Sequence, residues 1–441
     1  MSLNSDQEKA LKFIKTWWYS DHQAMILNGS GGVGKSFLVD YVLKTIPNLH
    51  PIIIAPTNEA LLQIVDKVTF PGCLFETIYR SLGLKPIEEG DELKFEEQKI
   101  PAYWQNINIC IADEGSMYSE NLITYLLSIG VKVLFVGHDK QLPPVKKNRR
   151  ISDPCISPLF TFDFPTIQLT IPQRNGGELW EFTKTLERRI SEENNKPLPT
   201  DFDISRKALS EYIAVSGKDD LFAGRTKLVL WTNHSVDEYN HRIRKSLFGE
   251  EAKTHKYVKG DKIILTNSYV SIPDLELHTD RSLKRIACRV NKNTEGYFYS
   301  NAKAEVVDCS QVMVKLNTDL HIPAYKLTVS CDGKTELFYD PVYKEDHTRI
   351  AKYYEHLAWN KKDKKKKDKC YLERAFIRRC FSECKHFYAA TAHRLQGSSV
   401  ENIILILADM EKNPNKIERA KCIYVGASRA MNKLMIYRGV T

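Results

Sequence analysis

Residues 27–37 read LNGSGGVGKSF, and they constrain the fold more tightly than any other stretch of the 441. Gly29 to Ser36 fit G-x-x-x-x-G-K-S, between a short apolar run and a helical apolar pattern that begins at Phe37, Leu38 and Val39. Strand, glycine loop and helix in that order turn backbone N–H groups toward phosphate oxygens, with the positive end of the helix behind them. Lys35 would then reach the β- and γ-phosphates, and the Ser36 hydroxyl would ligate magnesium. A nucleoside triphosphate is implied, yet kinases, GTPases, transporters and motors all hold one this way.

A chain of this length predicts two to four domains, and 42% hydrophobic residues can fill their cores. No apolar run approaches the roughly 18 residues of a membrane helix, and the polar start MSLNSDQEKA is no signal peptide. A soluble, cytoplasmic protein is expected, in a host cytoplasm if the source is a phage. Ten cysteines without a CxxC pair suggest reduced, structural thiols. Cys370, Cys380, Cys384 and His386 stand close enough in sequence to surround zinc, although the spacing fits no standard module. Of the net charge of +9, Lys361 to Lys369 (KKDKKKKDK) carry +5; such a run is a solvated loop or a phosphate-binding arm.

From 1 to about 175, strand and helix patterns alternate as in a parallel sheet covered on both faces. Strands are predicted at 24–28, 51–55, 107–112, 131–136 and 166–170, with helices at 36–46, 57–67 and 119–128. The charged, proline-containing segment 84–103 interrupts that rhythm. A second alternating region has a strand at 227–232 and a helix at 235–247, and it resumes at 386–441. Between them, 255–345 is rich in β-branched and turn residues and reads as an all-β insertion. An α/β protein of two lobes follows, the second one split.

Further motifs narrow the chemistry. In DEGSMY, after the strand at 107–112, Asp113 would hold magnesium through water and Glu114 would orient and deprotonate an attacking water. In GHDKQLPPV, Gln141 at a strand end is placed to contact the γ-phosphate or that water, or else to bond backbone within its loop. Arg174 in LTIPQRN and Arg429 in YVGASRA lie far from the glycine loop in sequence, and guanidinium groups stabilise charge on a transferring phosphoryl group.

Taken together, ten stretches in order resemble superfamily 1 DNA helicases of the 5′-to-3′ branch, superfamily 1B, and most closely the Dda-type phage helicases. They are NSDQEKAL, GSGGVGKS, APTNEA, ETIYRSLGL, DEGSMY, GHDKQLPPV, LTIPQRN, WTNHSVDEYN, TAHRLQGSSVENI and YVGASRAMNKL. The resemblance implies two RecA-like lobes with parallel sheets. The first lobe (1–175) would carry a pin or tower at 84–103, and the second (176–254 and 386–441) would be split by an SH3-like β insertion with a basic arm (255–385). It implies ATP and Mg2+ as cofactors. Gln7 would recognise adenine, and Gly29, Gly31, Gly32, Val33, Gly34, Lys35, Ser36 and Phe37 would form the phosphate loop. Ser36 and Asp113 would hold the metal, Gln141 would sense the nucleotide, and Gln396 would link the second lobe to it. Arg174 and Arg429 would be arginine fingers.

For single-stranded DNA the resemblance points to Pro56, Thr57, Asn58, Thr77 and Tyr79 in the first lobe. In the second it points to Asn233, His234, Thr391 and His393; hydroxyls and amides suit phosphate contacts that carry no sequence information. Trp231 would either stack on a base or lie buried in its strand. Phe95 would meet the duplex fork, and Pro86 would touch the inserted domain with Tyr371 as its partner. Two departures stand out: Gly137-His138 replaces the usual Gly-Asp, with Asp139 one residue later, and the lysine run blurs the arm.

The expected partners are single-stranded and forked DNA, with a single-strand-binding or other replication protein as a further candidate and a monomer as the acting unit. An RNA or RNA/DNA helicase of the same superfamily remains open, since phosphate contacts do not exclude a 2′-OH. A GTPase or kinase is disfavoured: NKKD at 360–363 matches the guanine-reading string but sits in the lysine run with no strand before it. A binding module with a vestigial site is disfavoured because no catalytic side chain is missing.

Overall fold

The computed structural model describes residues 3–89, 92–97, 99–144, 155–173, 177–192, 198–266, 269–272, 275–277, 297–298, 302–316, 320–331, 333–360, 377 and 379–439. Arg174, Cys370, Tyr371 and Lys361 to Lys369 lie outside the described residues, as does the side chain of Phe95. The chain divides into two compact units: Met1–Leu209 with Thr226–Val236 and Ala390–Thr441, and Ser210–Arg225 with Asp237–Ala389.

In the first unit, β1 (Ala24–Gly29), β2 (Pro51–Ala55), β3 (Leu74–Thr77), β6 (Ile109–Ala112), β7 (Lys132–Gly137) and β8 (Thr166–Leu169) form one sheet in the order β3-β2-β6-β7-β1-β8, and every pair in it is parallel. Strand residues alternate between two cores, as the pleat requires. Met25, Leu27, Ile53, Ile111 and Leu134 face the helices Ser5–Trp18 and Lys35–Thr45, whereas Ile26, Ile52, Cys110 and Phe135 face the helix Glu120–Ser128. With both faces covered, β1, β2 and β6 read as continuous apolar runs, and each buried Ile or Leu contributes about 1.5–3 kcal/mol.

The strands predicted in this lobe agree with the structure to within two residues at either end. Strand β3 was not anticipated: LFET has an exposed residue followed by half-buried ones and so lacks the apolar run of its neighbours. Between β3 and β6, β4 (Leu84–Glu89) and β5 (Glu92–Glu97) make an antiparallel hairpin in which Pro86 stands opposite Phe95.

The same unit holds a second sheet, in the order β17-β9-β18-β19, made of β9 (Thr226–Leu230), β17 (Ala389–Thr391), β18 (Val400–Ile406) and β19 (Ala430–Tyr437). The β9–β18 and β18–β19 pairs are parallel. Val229, Ile403, Leu405 and Ile436 pack with Phe182 and Leu186 of the helix Glu178–Ser191 and with Cys422, Ile423 and Val425 of the helix Lys416–Ser428. Leu142, from the loop after β7, is fully buried in this second core.

The second unit is built on an antiparallel sheet in the order β15-β14-β13-β10-β16: β10 (Lys262–Leu265), β13 (Lys303–Lys315), β14 (His321–Cys331), β15 (Lys334–Pro341) and β16 (Cys384–His386). Two short strands, β11 (Tyr269–Val270) and β12 (Tyr297–Phe298), pair beside one another. Beyond the stretch read as β, Glu345–Trp359 is a helix. Cys384–His386 pairs antiparallel with β10, and the strand Ala389–Thr391 follows it in the second sheet of the first unit. A buried Arg244–Asp261 pair ties the helix Asn233–Phe248 to the turn before β10, with Arg244 Nη2 2.9 Å from Asp261 Oδ2.

Candidate active site

The first unit brings its chemistry to the carboxyl ends of its parallel strands, where such sheets leave a crevice. After β1 the glycine loop turns into the helix Lys35–Thr45 through Gly32 and Gly34, both at φ near +85°. A Cβ at Gly34 would stand 2.4 Å from the Gln7 amide nitrogen, so the position requires glycine twice over. Lys35 Nζ donates to the carbonyls of Gly29 (2.7 Å) and Ser30 (2.9 Å). Burial pushes its ammonium pKa down, while Glu114 and Asp113 oppose that shift. Val33 is fully buried in the core behind the loop, and Gly31, Ser36 and Phe37 line the cleft.

Gln7 forms a capping box with Asn4 and donates from Nε2 to the Val33 carbonyl at 3.4 Å, which holds the first helix against the glycine loop. The N-x-x-Q spacing was the available sequence signal for that cap. Gln173 N donates to the Gly32 carbonyl at 2.9 Å, so the segment leading to Arg174 starts on the glycine loop.

Asp113 follows β6, and burial, reinforced by the neighbouring Glu114 charge, raises its carboxyl to about 7. Glu114 adopts left-handed backbone, φ 49°, a conformation a non-glycine residue keeps only where its surroundings enforce it. It points at a bridge. With its nitrogen toward the carboxylate, the Gln141 amide donates to Glu114 Oε2 and Ser116 Oγ, both at 2.8 Å, and accepts from Arg429 Nη2 at 2.9 Å. Arg429 Nη1 lies 3.7 Å from Glu114 Oε1, and Arg429 Nε is buried without a partner among the described residues. Gln396, also buried, donates to the Leu142 carbonyl at 3.1 Å.

Around these groups is a cleft of about 470 Å³, lined on one side by Lys35, Asp113, Glu114 and Gln141 and on the other by Arg429 and Met431. Lys67 also lines it; nothing in its sequence context singled it out. A buried ammonium, two adjacent carboxylates, an amide and a guanidinium around one cavity can bind a polyphosphate and direct a water onto it.

The other expected contacts also sit at strand ends. Pro56, Thr57 and Asn58 follow β2, and the Thr57 hydroxyl caps the next helix at Ala60 N. Thr77 ends β3, and Tyr79 packs half-buried beneath it, its phenol pKa raised by burial. Asn233 and His234 are exposed just after β9, and Trp231 packs partly on the second core. Thr391 caps the short helix Ala392–Leu395, whose His393 Nε2 is 3.6 Å from Glu418.

Sequence reasoning missed Asp409. Its carboxylate accepts from Trp231 N, Thr232 N and Oγ1, and Ser235 Oγ at 2.6–3.0 Å, fixing the loop that presents Asn233 and His234. Burial alone would raise its pKa; bonds from Ser235, Thr232 and Trp231 hold it below the usual range.

Two parallel α/β lobes meeting over a glycine loop, an Asp-Glu pair and an arginine define a P-loop motor. Residues 14–147 match an AAA domain model, and residues 386–437 match a UvrD-like helicase C-terminal domain. The chain is 22% identical over 496 residues to an uncharacterized protein of Acanthamoeba polyphaga mimivirus, covering 97% of each. It is 25% identical over 280 residues to the ATP-dependent DNA helicase dda of Enterobacteria phage T4, covering 60% of this chain and 61% of that one. Among solved structures it resembles a Pif1 helicase described as unwinding forked duplex DNA, with a TM-score of 0.51 and 16% identity over 100% of this chain and 93% of that one. The two domain matches and these relatives support a superfamily 1B helicase of the Dda and Pif1 type, driven by ATP.

Proposed function

We propose that the chain hydrolyses ATP to move 5′ to 3′ along single-stranded DNA and to part the duplex ahead of it. The observation that supports this reading is the Glu114–Gln141–Arg429 bridge, which joins side chains of both lobes across the cleft that would take the γ-phosphate. In this reading Lys35 and the amides of Gly29 to Phe37 hold the phosphates, and Gln7 meets the adenine. Glu114 takes a proton from the attacking water, and Gln141 senses the γ-phosphate. Arg429, joined by Arg174, stabilises the transferring group, while Gln396 ties the second lobe to the sensor loop.

Asp113, whose buried carboxyl is raised beside Glu114, suits a cation, and Ser36 lies in the same cleft. Ser36 and Asp113, the latter partly through water, would hold magnesium, which when bound adds positive charge against the phosphate oxygens. Pro56, Thr57, Asn58, Thr77 and Tyr79 grip the strand from one lobe, and Asn233, His234, Thr391 and His393 grip it from the other. Hydrolysis opens and closes the cleft between those grips.

The hairpin 84–97 acts as the pin, with Phe95 at the fork, and the antiparallel unit is the SH3-like insertion, its arm bearing Lys361 to Lys369 and Tyr371. Strand displacement on partial duplexes tests this. A 5′ DNA tail should support unwinding, and 3′ or RNA tails should not; unwinding from the 3′ tail alone would refute the direction, and an equal rate on RNA would refute the substrate.

A further inference from the structure

A chain of side chains that none of the family roles above uses runs beside the same cleft and reaches it at Ser30 and Tyr424. Lys184 Nζ, on the helix Glu178–Ser191, donates to Ser30 Oγ of the glycine loop at 3.1 Å and to Glu187 Oε2 at 2.7 Å. Glu187 Oε1 in turn accepts from the Tyr424 hydroxyl at 3.0 Å, and that oxygen lies 3.2 Å from His138 Nδ1 of the sensor loop. Tyr424, His138 and Ser30 are each no more than 3% exposed. Beside them Lys421 Nζ donates to the carbonyls of Asp139 (2.9 Å) and Gln141 (3.0 Å).

We propose that Glu187 and Tyr424 are positioning residues of a relay that runs from the phosphate loop through Lys184 to His138, and that it reports nucleotide occupancy to the sensor loop separately from Gln141. The inference rests on the reading of the cleft as the ATP site. A hydroxyl carries one proton, and burial together with the Glu187 charge holds the Tyr424 phenol far above its usual range, so that proton stays and goes to Glu187. The Tyr424 oxygen is then free only to accept, and His138 supplies the donor from Nδ1–H. Burial pushes His138 down to about 3, leaving the ring neutral near pH 7.

An aspartate at position 138, as the resemblance leads one to expect, would set a second acceptor on a hydroxyl whose proton is already committed. Histidine is the residue type that completes this relay. Phosphates entering beside Ser30 bring negative charge to Lys184, which then divides its ammonium between nucleotide and Glu187. Glu187 passes the change to Tyr424 and on to the loop that carries Gln141.

The test is ATP turnover with and without oligodeoxythymidine for the wild type, Tyr424→Phe, Glu187→Gln and the double variant. Each single change should leave unstimulated turnover within about twofold and lower DNA stimulation about five- to tenfold, the size of one lost hydrogen bond. The double variant should be no worse than the poorer single one, because both act in one chain. Unchanged stimulation in either single variant, or losses that multiply in the double, would overturn the relay. If Glu187→Gln does not fold, as judged by its thermal midpoint, His138→Phe replaces it in the same cycle with the same two outcomes. A wild-type chain that DNA does not stimulate would remove the helicase reading itself, and the inference with it.

Discussion

At the scale of single residues, the cleft is governed by burial of charge. Asp113 and Glu114 offset the loss of water at Lys35, and Lys35 in turn opposes the rise that burial and the Glu114 charge impose on Asp113. Lys35→Ala removes the cation that would meet the phosphates, and Glu114→Gln keeps shape but removes the proposed base. Both are expected to lower ATP turnover by at least about a hundredfold while leaving single-stranded DNA affinity within about threefold, as measured by phosphate release and fluorescence anisotropy. The motif letters LNGSGGVGKS, DEG and GHDKQ were legible because glycine geometry and charge are local requirements. The partners Lys184, Glu187 and Tyr424 were not, since 154 positions separate Lys184 from Ser30 and 237 separate Glu187 from Tyr424.

At the scale of elements, the first sheet could be read from apolar strands alternating with amphipathic helices, whereas β3 and the helix Glu345–Trp359 could not. LFET is too short and too exposed to carry a strand signature, and it pairs because β2 offers an edge. The loop after β9 shows what a single buried carboxylate can organise. Asp409→Ala would strand two backbone N–H groups and two hydroxyls, so it should cost about 2–4 kcal/mol in chemical denaturation and weaken single-stranded DNA binding through Asn233 and His234. The hairpin 84–97 makes a separate prediction. Phe95→Ala is expected to slow strand separation about tenfold while DNA-stimulated ATP turnover stays within about twofold; normal unwinding would remove Phe95 from the fork.

At the scale of the whole molecule, the residues of the cleft belong to one compact unit, and Ser210–Arg225 with Asp237–Ala389 make the other. The second unit is expected to respond to pH. Burial pushes His386 down to about 4 against the opposing pull of Asp261, and its Nε2 lies 3.0 Å from the Lys256 carbonyl. As pH falls from about 6.5 toward 4, the unfolded chain takes up a proton that the folded one refuses, so stability present above 6.5 is lost through that window, up to about 3 kcal/mol. Thermal midpoints at pH 7 and 4.5 should diverge more in the wild type than in His386→Gln; equal slopes would discount this histidine. By itself the sequence determined the glycine loop, the alternating strands and the residue types gathered at their ends, because backbone conformation, periodicity and charge are written locally. Tertiary structure alone decided that Arg429 meets Gln141 and Glu114, that Leu142 enters the second core, and that Asp409 holds the loop after β9. Those contacts join segments far apart in the chain, and only packing two cores against each other brings them within hydrogen-bond reach.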